Sequence, residues 1–137
     1  MTPLGPHAIR GSVASVPPYD SVSEREIATG RALAAVAYLP GLCFIGLLEA
    51  PRNRFVRFHA RQGLVLFAAE IVGAVAIAIV DASLGAIPVL GMIASASVRL
   101  ILGLLFLAVT VYGVLKGASG EMIRIPVLAD LAERMDF

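Results

Sequence analysis

The sequence predicts an all-α integral membrane protein, a compact bundle of three transmembrane helices. Charged residues make up 15% of the 137 residues and hydrophobic residues make up 58%, whereas about 25% of an average soluble domain is charged. The shortage of charge is uneven, because residues 32–50 and 62–115 hold four charges in 73 residues. A soluble domain of this size has a large surface relative to its volume, so it does not leave half its chain nearly uncharged.

The first predicted span follows a tail and a capped helix. Residues 1–22 are rich in proline and glycine without a helical or strand period, which predicts a flexible, disordered N-terminal tail. Ser23 and Glu26 have the spacing of a capping box, so a helix is expected to begin there. We expect this helix to continue into a first span over residues 32–49, kinked at Pro40 because proline removes an internal hydrogen bond.

A basic loop precedes the second predicted span. Asn53 is a good N-cap residue, so a second helix is expected to begin after it and to contain a span over residues 62–83. At 100° per residue, His59, Gln62 and Glu70 share one helix face, which lies opposite the arginines of the basic loop. The arginines are expected either to bind anionic lipids or an acidic partner, or only to set the topology. The basic loop consists of Arg52, Arg54, Arg57 and Arg61.

The next apolar stretch is too long for one span. Residues 82–115 would form a helix of about 51 Å, against a hydrocarbon core of about 30 Å. Gly85, Pro88 and Gly91 predict a break in this stretch. The third span is therefore predicted over residues 91–115.

The chain is predicted to end at the membrane surface. Lys116 and Gly117 supply a cation and a glycine, which favour the end of the third helix. Residues 121–137 carry apolar side chains at roughly helical spacing, which predicts a short interfacial helix. Residues 23–133 would thus form the membrane helical domain.

The positive-inside rule predicts the orientation. With three spans, the basic loop and the C-terminus share one side that carries seven Lys and Arg residues, against three on the other side. Dividing residues 82–115 into two spans gives six against five. The rule therefore favours three spans in the inner membrane or a membrane derived from it, with the basic loop and the C-terminus cytoplasmic. Four spans, or three spans plus a re-entrant segment over residues 85–91, are the alternatives.

Two charges lie deep inside the predicted spans, Glu70 and Arg99. Counting along the helices puts them about 6 Å apart in depth, so we expect an intramembrane ion pair that joins spans two and three. A lone charge at this depth costs at least about 2.5 kcal/mol. The alternatives are that Arg99 reaches outward to Asp81 while Glu70 is protonated, or that the pair is part of a proton or ion relay.

The residue pattern does not indicate catalysis or a metal site. His59 has no second His, Cys or acid at helical spacing, so a hydrogen bond from Gln62 at the helix start is its expected role. The chain carries none of the common nucleophile, metalloprotease or phosphate-loop motifs. A net charge of +1 without a basic tract also excludes a nucleic-acid-binding surface. We therefore expect neither an enzyme, nor a cofactor, nor a nucleic-acid partner.

Three stretches carry a family resemblance. They are AYLPGLCFI at 37–45, NRFVRFHARQGLVLF at 53–67, and IPVLADLAE at 125–133 after Gly120-Glu121. They resemble a family of small bacterial and archaeal multi-span membrane proteins, a domain of unknown function related to the chloroplast inner-envelope protein-import (Tic) channel subunit and to magnetosome membrane proteins. The resemblance covers about residues 24–133. It implies a role beside protein import, membrane assembly or the organisation of an organelle membrane.

The functional expectation joins this resemblance to the residue pattern. We expect a non-enzymatic bundle in the inner membrane that acts as a self-associating or accessory scaffold subunit. Its expected partners are anionic lipids and either further copies of itself or a membrane complex. The alternative is a small channel or transporter that uses Glu70 and Arg99.

Overall fold

The computed structural model describes residues 22–49, 52–84 and 86–134, which form five α-helices and no β-strand. The predicted all-helical class is therefore confirmed for this part of the chain. The predicted tail over residues 1–22 lies outside the described residues except for Val22. The helices are α1 (Glu24–Val36), α2 (Cys43–Glu49), α3 (Arg54–Leu84), α4 (Pro88–Ser119) and α5 (Pro126–Arg134).

Helices α3 and α4 form a long antiparallel pair. Within the described ranges, these two helices are long and apolar enough to cross a membrane. Each extends for about 46 to 48 Å, which exceeds the roughly 30 Å of a hydrocarbon core. A Cβ atom on Gly73 would lie 3.0 Å from the Phe106 ring, so the helices are in close contact near their middles. The predicted spans over 62–83 and 91–115 fall within these helices, whereas a third transmembrane helix is not confirmed.

The ends of the long helices follow the expected signals. Asn53 precedes α3, and its side-chain oxygen accepts a hydrogen bond from the Val56 amide at 3.1 Å. Helix α3 ends at Leu84 and α4 begins at Pro88, which is the predicted break. Of the other two predicted breakers, Gly91 lies inside α4, and Gly85 lies outside the described residues.

Residues 24–49 form a helical hairpin in place of the expected single span. The capping box at the start of α1 is present as predicted. Beyond Val36, hydrogen bonds between residues three apart and a left-handed Gly41 (φ +76°) reverse the chain direction. The side-chain amide of Asn53 donates to the Glu26 carbonyl oxygen at 2.8 Å, so the hairpin begins and ends beside the start of α3. The expected kink at Pro40 is thus part of a full reversal.

Glycines in α3 and α4 make room for the tip of the hairpin. A Cβ atom on Gly63 would lie 1.9 Å from the Ala37 carbonyl oxygen. A Cβ atom on Gly113 would lie 2.3 Å from the Tyr38 ring. Only glycine permits both contacts, and they hold the reversal of the chain against the two long helices.

Helix α4 continues beyond the expected stop. It runs through Lys116 and Gly117 to Ser119, and ends at Gly120 in the left-handed conformation (φ +82°). A Cβ atom on Gly117 would lie 2.9 Å from the backbone of Ala34 in α1. Gly117 therefore provides close helix packing, and the helix-ending role falls to Gly120.

The predicted C-terminal helix is present as α5. Its buried residues are Leu128, Ala129 and Ala132, and it packs against α3. Val127 and Leu131 are exposed. Residues 135–137 of the expected interfacial segment lie outside the described residues.

Candidate functional site

A buried polar cluster lies where the hairpin, α3 and the segment after α4 meet. It consists of Tyr38, His59 and Gln62, whose exposed fractions are 2%, 0% and 1%. The Tyr38 hydroxyl lies 3.0 Å from His59 Nδ1. When Nδ1 carries no proton, the hydroxyl donates to it and joins the tip of the hairpin to α3.

Aromatic rings enclose His59. The ring centroids of Phe55, Phe58 and Tyr38 lie 4.7, 5.1 and 5.7 Å from that of the imidazole, all in edge-on arrangements. The backbone of Glu121 lies close to the imidazole. No group in the described chain, however, meets its Nε2 atom at hydrogen-bond geometry. A ring so enclosed is suited to holding elements together and is not accessible to a substrate.

Gln62 fastens the C-terminal segment to α3. Its side-chain oxygen accepts a hydrogen bond from the Ile125 amide at 3.1 Å, and its side-chain nitrogen donates to the Ile123 carbonyl oxygen at 3.3 Å. Gln62 was expected to bond to His59, but both ends of its amide serve this backbone instead. The partners lie more than 60 residues away in sequence, so helical spacing could not reveal them.

Glu26 connects the start of the hairpin to the start of α3. One carboxylate oxygen accepts from the Ser23 amide at 3.0 Å, and the other accepts from the Arg54 amide at 3.2 Å. These amides of Ser23 and Arg54 hold the pKa of the Glu26 carboxyl below its usual value of 4.5. The sequence indicated the capping role of Glu26 but not its bond to α3.

The basic loop surrounds this end of the bundle. Arg52 and Arg54 are exposed, whereas Arg57 and Arg61 are half-buried. Nearby, the Lys116 ammonium lies 2.8 Å from a Glu121 carboxylate oxygen, and this hydrogen bond lowers the pKa of the Glu121 carboxyl.

A second polar cluster lies near the other end of the α3 and α4 pair. The Asp81 carboxylate accepts hydrogen bonds from the Arg99 guanidinium and the Ser95 hydroxyl. These side chains border an open recess of about 340 Å³, which is also lined by Gly91, Met92 and Ala96.

The structure does not bring Glu70 and Arg99 together as the expected ion pair. Arg99 binds Asp81, which is the arrangement considered as an alternative, and Glu70 is half-buried elsewhere on α3. Asp81 lies beside Ser95 and Gly73 lies beside Phe106. This register places Glu70 and Arg99 about 12 Å apart along the bundle. The depth count placed the two charges closer together because it assumed a separation of about 30 Å between residues 62 and 91, whereas this register places them about 36 Å apart along the pair.

Two known proteins are similar to this chain. A UPF0132 membrane protein of Methanocaldococcus jannaschii is 31% identical over 97 residues, which are 71% of this chain and 60% of that protein. Magnetosome protein MmsF of Paramagnetospirillum magneticum is 51% identical over 35 residues, which are 26% of this chain and 33% of that protein. The chain therefore spans less than two thirds of the length of each relative. No protein-family model matches the chain. No solved structure matches it either.

These similarities support a relationship to small membrane proteins of unspecified function. Together with the two long apolar helices, they point to a membrane location. Neither relative is named as an import subunit, so the relationship to the Tic subunit stays a prediction.

Proposed function

We propose that the protein is a non-enzymatic membrane scaffold that acts by self-association or as an accessory subunit. The observation that supports this proposal is a large apolar surface on α3 and α4. It covers the part of the pair that lies beyond the hairpin. In a bilayer, such a surface meets either lipid chains or the helices of another protein. Its exposed side chains are Ile71, Val72, Val75, Ile79, Leu100, Ile101, Leu104, Leu105 and Leu107.

The distribution of polar groups supports a structural role. Tyr38 and Gln62 are buried, and their side-chain hydrogen bonds connect elements of the fold. By contrast, Gly103 lies on the exposed side of α4, and a Cβ atom there would meet nothing within 4 Å. Small residues on a lipid-facing helix allow the backbone of a second helix to approach. Gly103 is therefore the position at which we place the centre of a helix contact.

Crosslinking in native membranes and fluorescence energy transfer between reconstituted molecules test the proposal. We expect association that rises with protein density and that Gly103→Leu weakens. Ala78→Leu creates the same side chain at an exposed position of α3 and is expected to leave association unchanged. Crosslinks to another membrane protein would favour the accessory role. A monomer without crosslinked partners at every density would refute both forms of the proposal.

Transport is the outcome that would replace this proposal. Arg99 is occupied by Asp81, and Glu70 lies at a different depth, so no described contact joins them into a polar path. We expect no specific proton or ion flux in reconstituted vesicles. A flux that Glu70→Gln abolishes would support the channel or transporter alternative.

The charge distribution supports an orientation in the membrane. Nine of the ten Lys and Arg residues in the described ranges belong to the hairpin, the basic loop, the last turn of α4, or residues 120–134; Arg99 is the tenth. By the positive-inside rule, this cationic end faces the cytoplasm and its anionic lipids. We propose the inner membrane, or an intracellular membrane derived from it, as the location.

A further inference from the structure

The helices are distributed unequally along the bundle. The hairpin contacts α3 at Gly63 through the Ala37 backbone and at Phe67 through the Phe44 ring, and α5 shares a core cluster with Val65 and Leu66. Farther along α3 the contacts are with α4, because Gly73 lies beside Phe106 and Asp81 binds Ser95 and Arg99. One end of the molecule therefore contains α1, α2 and α5 around the long pair, and the other end contains the long pair alone.

The positions of the charged residues show where the end that contains all five helices meets the membrane. Arg61 in α3 lies near the level of Lys116 in α4, because Gly63 and Gly113 both contact the hairpin tip. From Arg61 to Asp81, α3 rises by about 30 Å, which equals the thickness of the hydrocarbon core. The hairpin thus contacts α3 from the level of Gly63, about 3 Å inside this core, to the level of Phe67, about 9 Å inside it. The hairpin is confined to the leaflet at the cationic end.

The exposed side chains of the hairpin fit the boundary between headgroups and acyl chains. Leu48 is 78% exposed, and Leu39, Phe44 and Ile45 are 39%, 45% and 40% exposed. Apolar faces of interfacial helices are buried about 5 to 10 Å into this boundary. The backbone of the turn is also paired, because the amides of Leu39 and Leu42 donate to carbonyl oxygens three residues earlier, both at 3.0 Å. The turn therefore tolerates a lipid environment.

We propose that the hairpin and α5 form a one-sided wedge, which makes the protein prefer membrane that is convex on its cationic side. Each helix is about 10 Å across, so five helices occupy a much larger area in one leaflet than two helices occupy in the other. A leaflet that is stretched on a convex surface accommodates the larger cross-section with less compression of its lipids. The partner is thus the acyl-chain boundary of a single leaflet. This inference rests on the proposed membrane location but not on self-association.

Thiol labelling tests whether the hairpin stays in one leaflet. Glu24→Cys, Arg52→Cys and Ala86→Cys are placed singly in the full chain with Cys43→Ala, and intact cells are treated with a membrane-impermeant maleimide. We expect Glu24→Cys and Arg52→Cys to label from the same side and Ala86→Cys from the opposite side. Labelling of Glu24→Cys and Arg52→Cys from opposite sides would show that residues 24–49 cross the membrane, and it would overturn the wedge.

Membrane tubes pulled from giant vesicles test the preference for curvature. Full-length protein is reconstituted at low density from anionic lipids, and only molecules with the cationic end outward are labelled. We expect the ratio of tube density to vesicle density to exceed unity and to rise as the tube narrows. A ratio at or below unity at every tube radius would refute the wedge, even if the labelling result agreed.

Matched variants connect the curvature preference to the hairpin. Ile45→Ser/Leu48→Ser makes two exposed hairpin positions polar, and we expect it to lower the enrichment in tubes. Val89→Ser/Ile93→Ser makes two exposed positions polar at the opposite end of the bundle, outside the proposed association surface, and we expect no loss of enrichment. Equal losses in both pairs would contradict the assignment of the wedge to the hairpin. The low protein density separates this result from a failure of self-association.

Discussion

Single residues with little or no side chain decide how closely the elements of this protein approach each other. Gly63 and Gly113 admit the hairpin tip, whereas Gly103 faces outward with free space around it. The same residue type therefore has two different roles in the two long helices. Sequence spacing alone does not distinguish them, because both roles occur in apolar helices.

Gly63→Ala is expected to destabilise the fold strongly. Its Cβ atom would lie 1.9 Å from the Ala37 carbonyl oxygen, so the backbone of the hairpin would have to move. Overpacking typically costs about 1 to 3 kcal/mol. We expect Gly63→Ala to lower the free energy of unfolding, measured in bicelles, by an amount in the upper part of that range or above it. Gly103→Ala is the control, expected to stabilise α4 by about 0.5 to 1 kcal/mol. Similar effects of the two changes would contradict the contact.

Glu26 is expected to make the stability of the hairpin depend on pH. Its pKa is lower in the folded protein, chiefly because the Ser23 and Arg54 amides bind the carboxylate. The stabilisation is therefore present above the usual pKa of 4.5 and is lost as the pH falls through the lower folded value. We expect the melting temperature to decrease as the pH is lowered below about 4.5. Glu26→Gln should reduce this dependence without removing it, because Glu121 also has a lowered pKa.

The control for Glu26 is Glu24→Gln, an exposed position in the same helical turn. This change is expected to leave the dependence as it is in the unmodified protein. An identical pH dependence with and without Glu26 would show that its bonds to Ser23 and Arg54 do not contribute to stability.

At the scale of the elements, the sequence predicted the long helices better than the connections between them. Asn53 and Pro88 mark helix starts through local chemistry, and the structure has helices beginning at Arg54 and Pro88. The reversal of the hairpin depends on Gly41 together with contacts to α3 and α4, which are distant in sequence. Proline and glycine in an apolar run predict an interruption, but they do not determine whether the chain bends or turns back.

Gln62→Ala is expected to release the C-terminal segment from α3. The change leaves the Ile125 amide and the Ile123 carbonyl without their side-chain partner, which costs about 1 to 3 kcal/mol. Hydrogen exchange at the Ile125 amide and tryptic cleavage after Arg124 should both become faster. Ser97→Ala removes a hydroxyl that bonds only within its own helix and should change neither rate. Unchanged exchange at Ile125 in the Gln62 variant would refute this attachment.

A pair of double-mutant cycles is expected to separate the observed ion pair from the one predicted by depth. Asp81→Ala and Arg99→Ala should be coupled, with an interaction energy above about 0.5 kcal/mol, because their side chains are in contact. Glu70→Ala and Arg99→Ala should be additive within about 0.3 to 0.5 kcal/mol. Unfolding in bicelles measures both cycles. Coupling of Glu70 with Arg99, without coupling of Asp81 with Arg99, would support the ion pair that the sequence analysis predicted.

At the scale of the whole molecule, the charges and the apolar surface divide the protein into two unlike halves. Basic residues and three short helices lie at one end, and exposed aliphatic side chains cover the long pair beyond it. In the proposed function, this arrangement would supply both an asymmetric membrane shape and a surface for association. A scaffold that is sensitive to curvature would use both.

The cationic end is expected to retain anionic lipids. Each basic residue near an anionic surface contributes about 1 kcal/mol, so Arg52→Gln/Arg57→Gln should weaken retention by about tenfold or more. Native mass spectrometry of the protein from mixed-lipid vesicles measures the retained lipids. Arg99→Gln lies at the other end and serves as the control. Retention that is unaffected by the double change would show that the loop only sets topology.

The amino-acid pattern alone predicted a membrane protein, the two long apolar helices, the capped helix starts and the concentration of cations near the basic loop. These follow from composition, local capping chemistry and helix length, all of which act within a few turns. Contacts between distant parts of the chain were needed to show that residues 24–49 turn back, that Gln62 binds the backbone near Ile125, and that Arg99 binds Asp81. These outcomes depend on helix register and on contacts between distant glycines and backbone groups, which one-dimensional spacing does not contain.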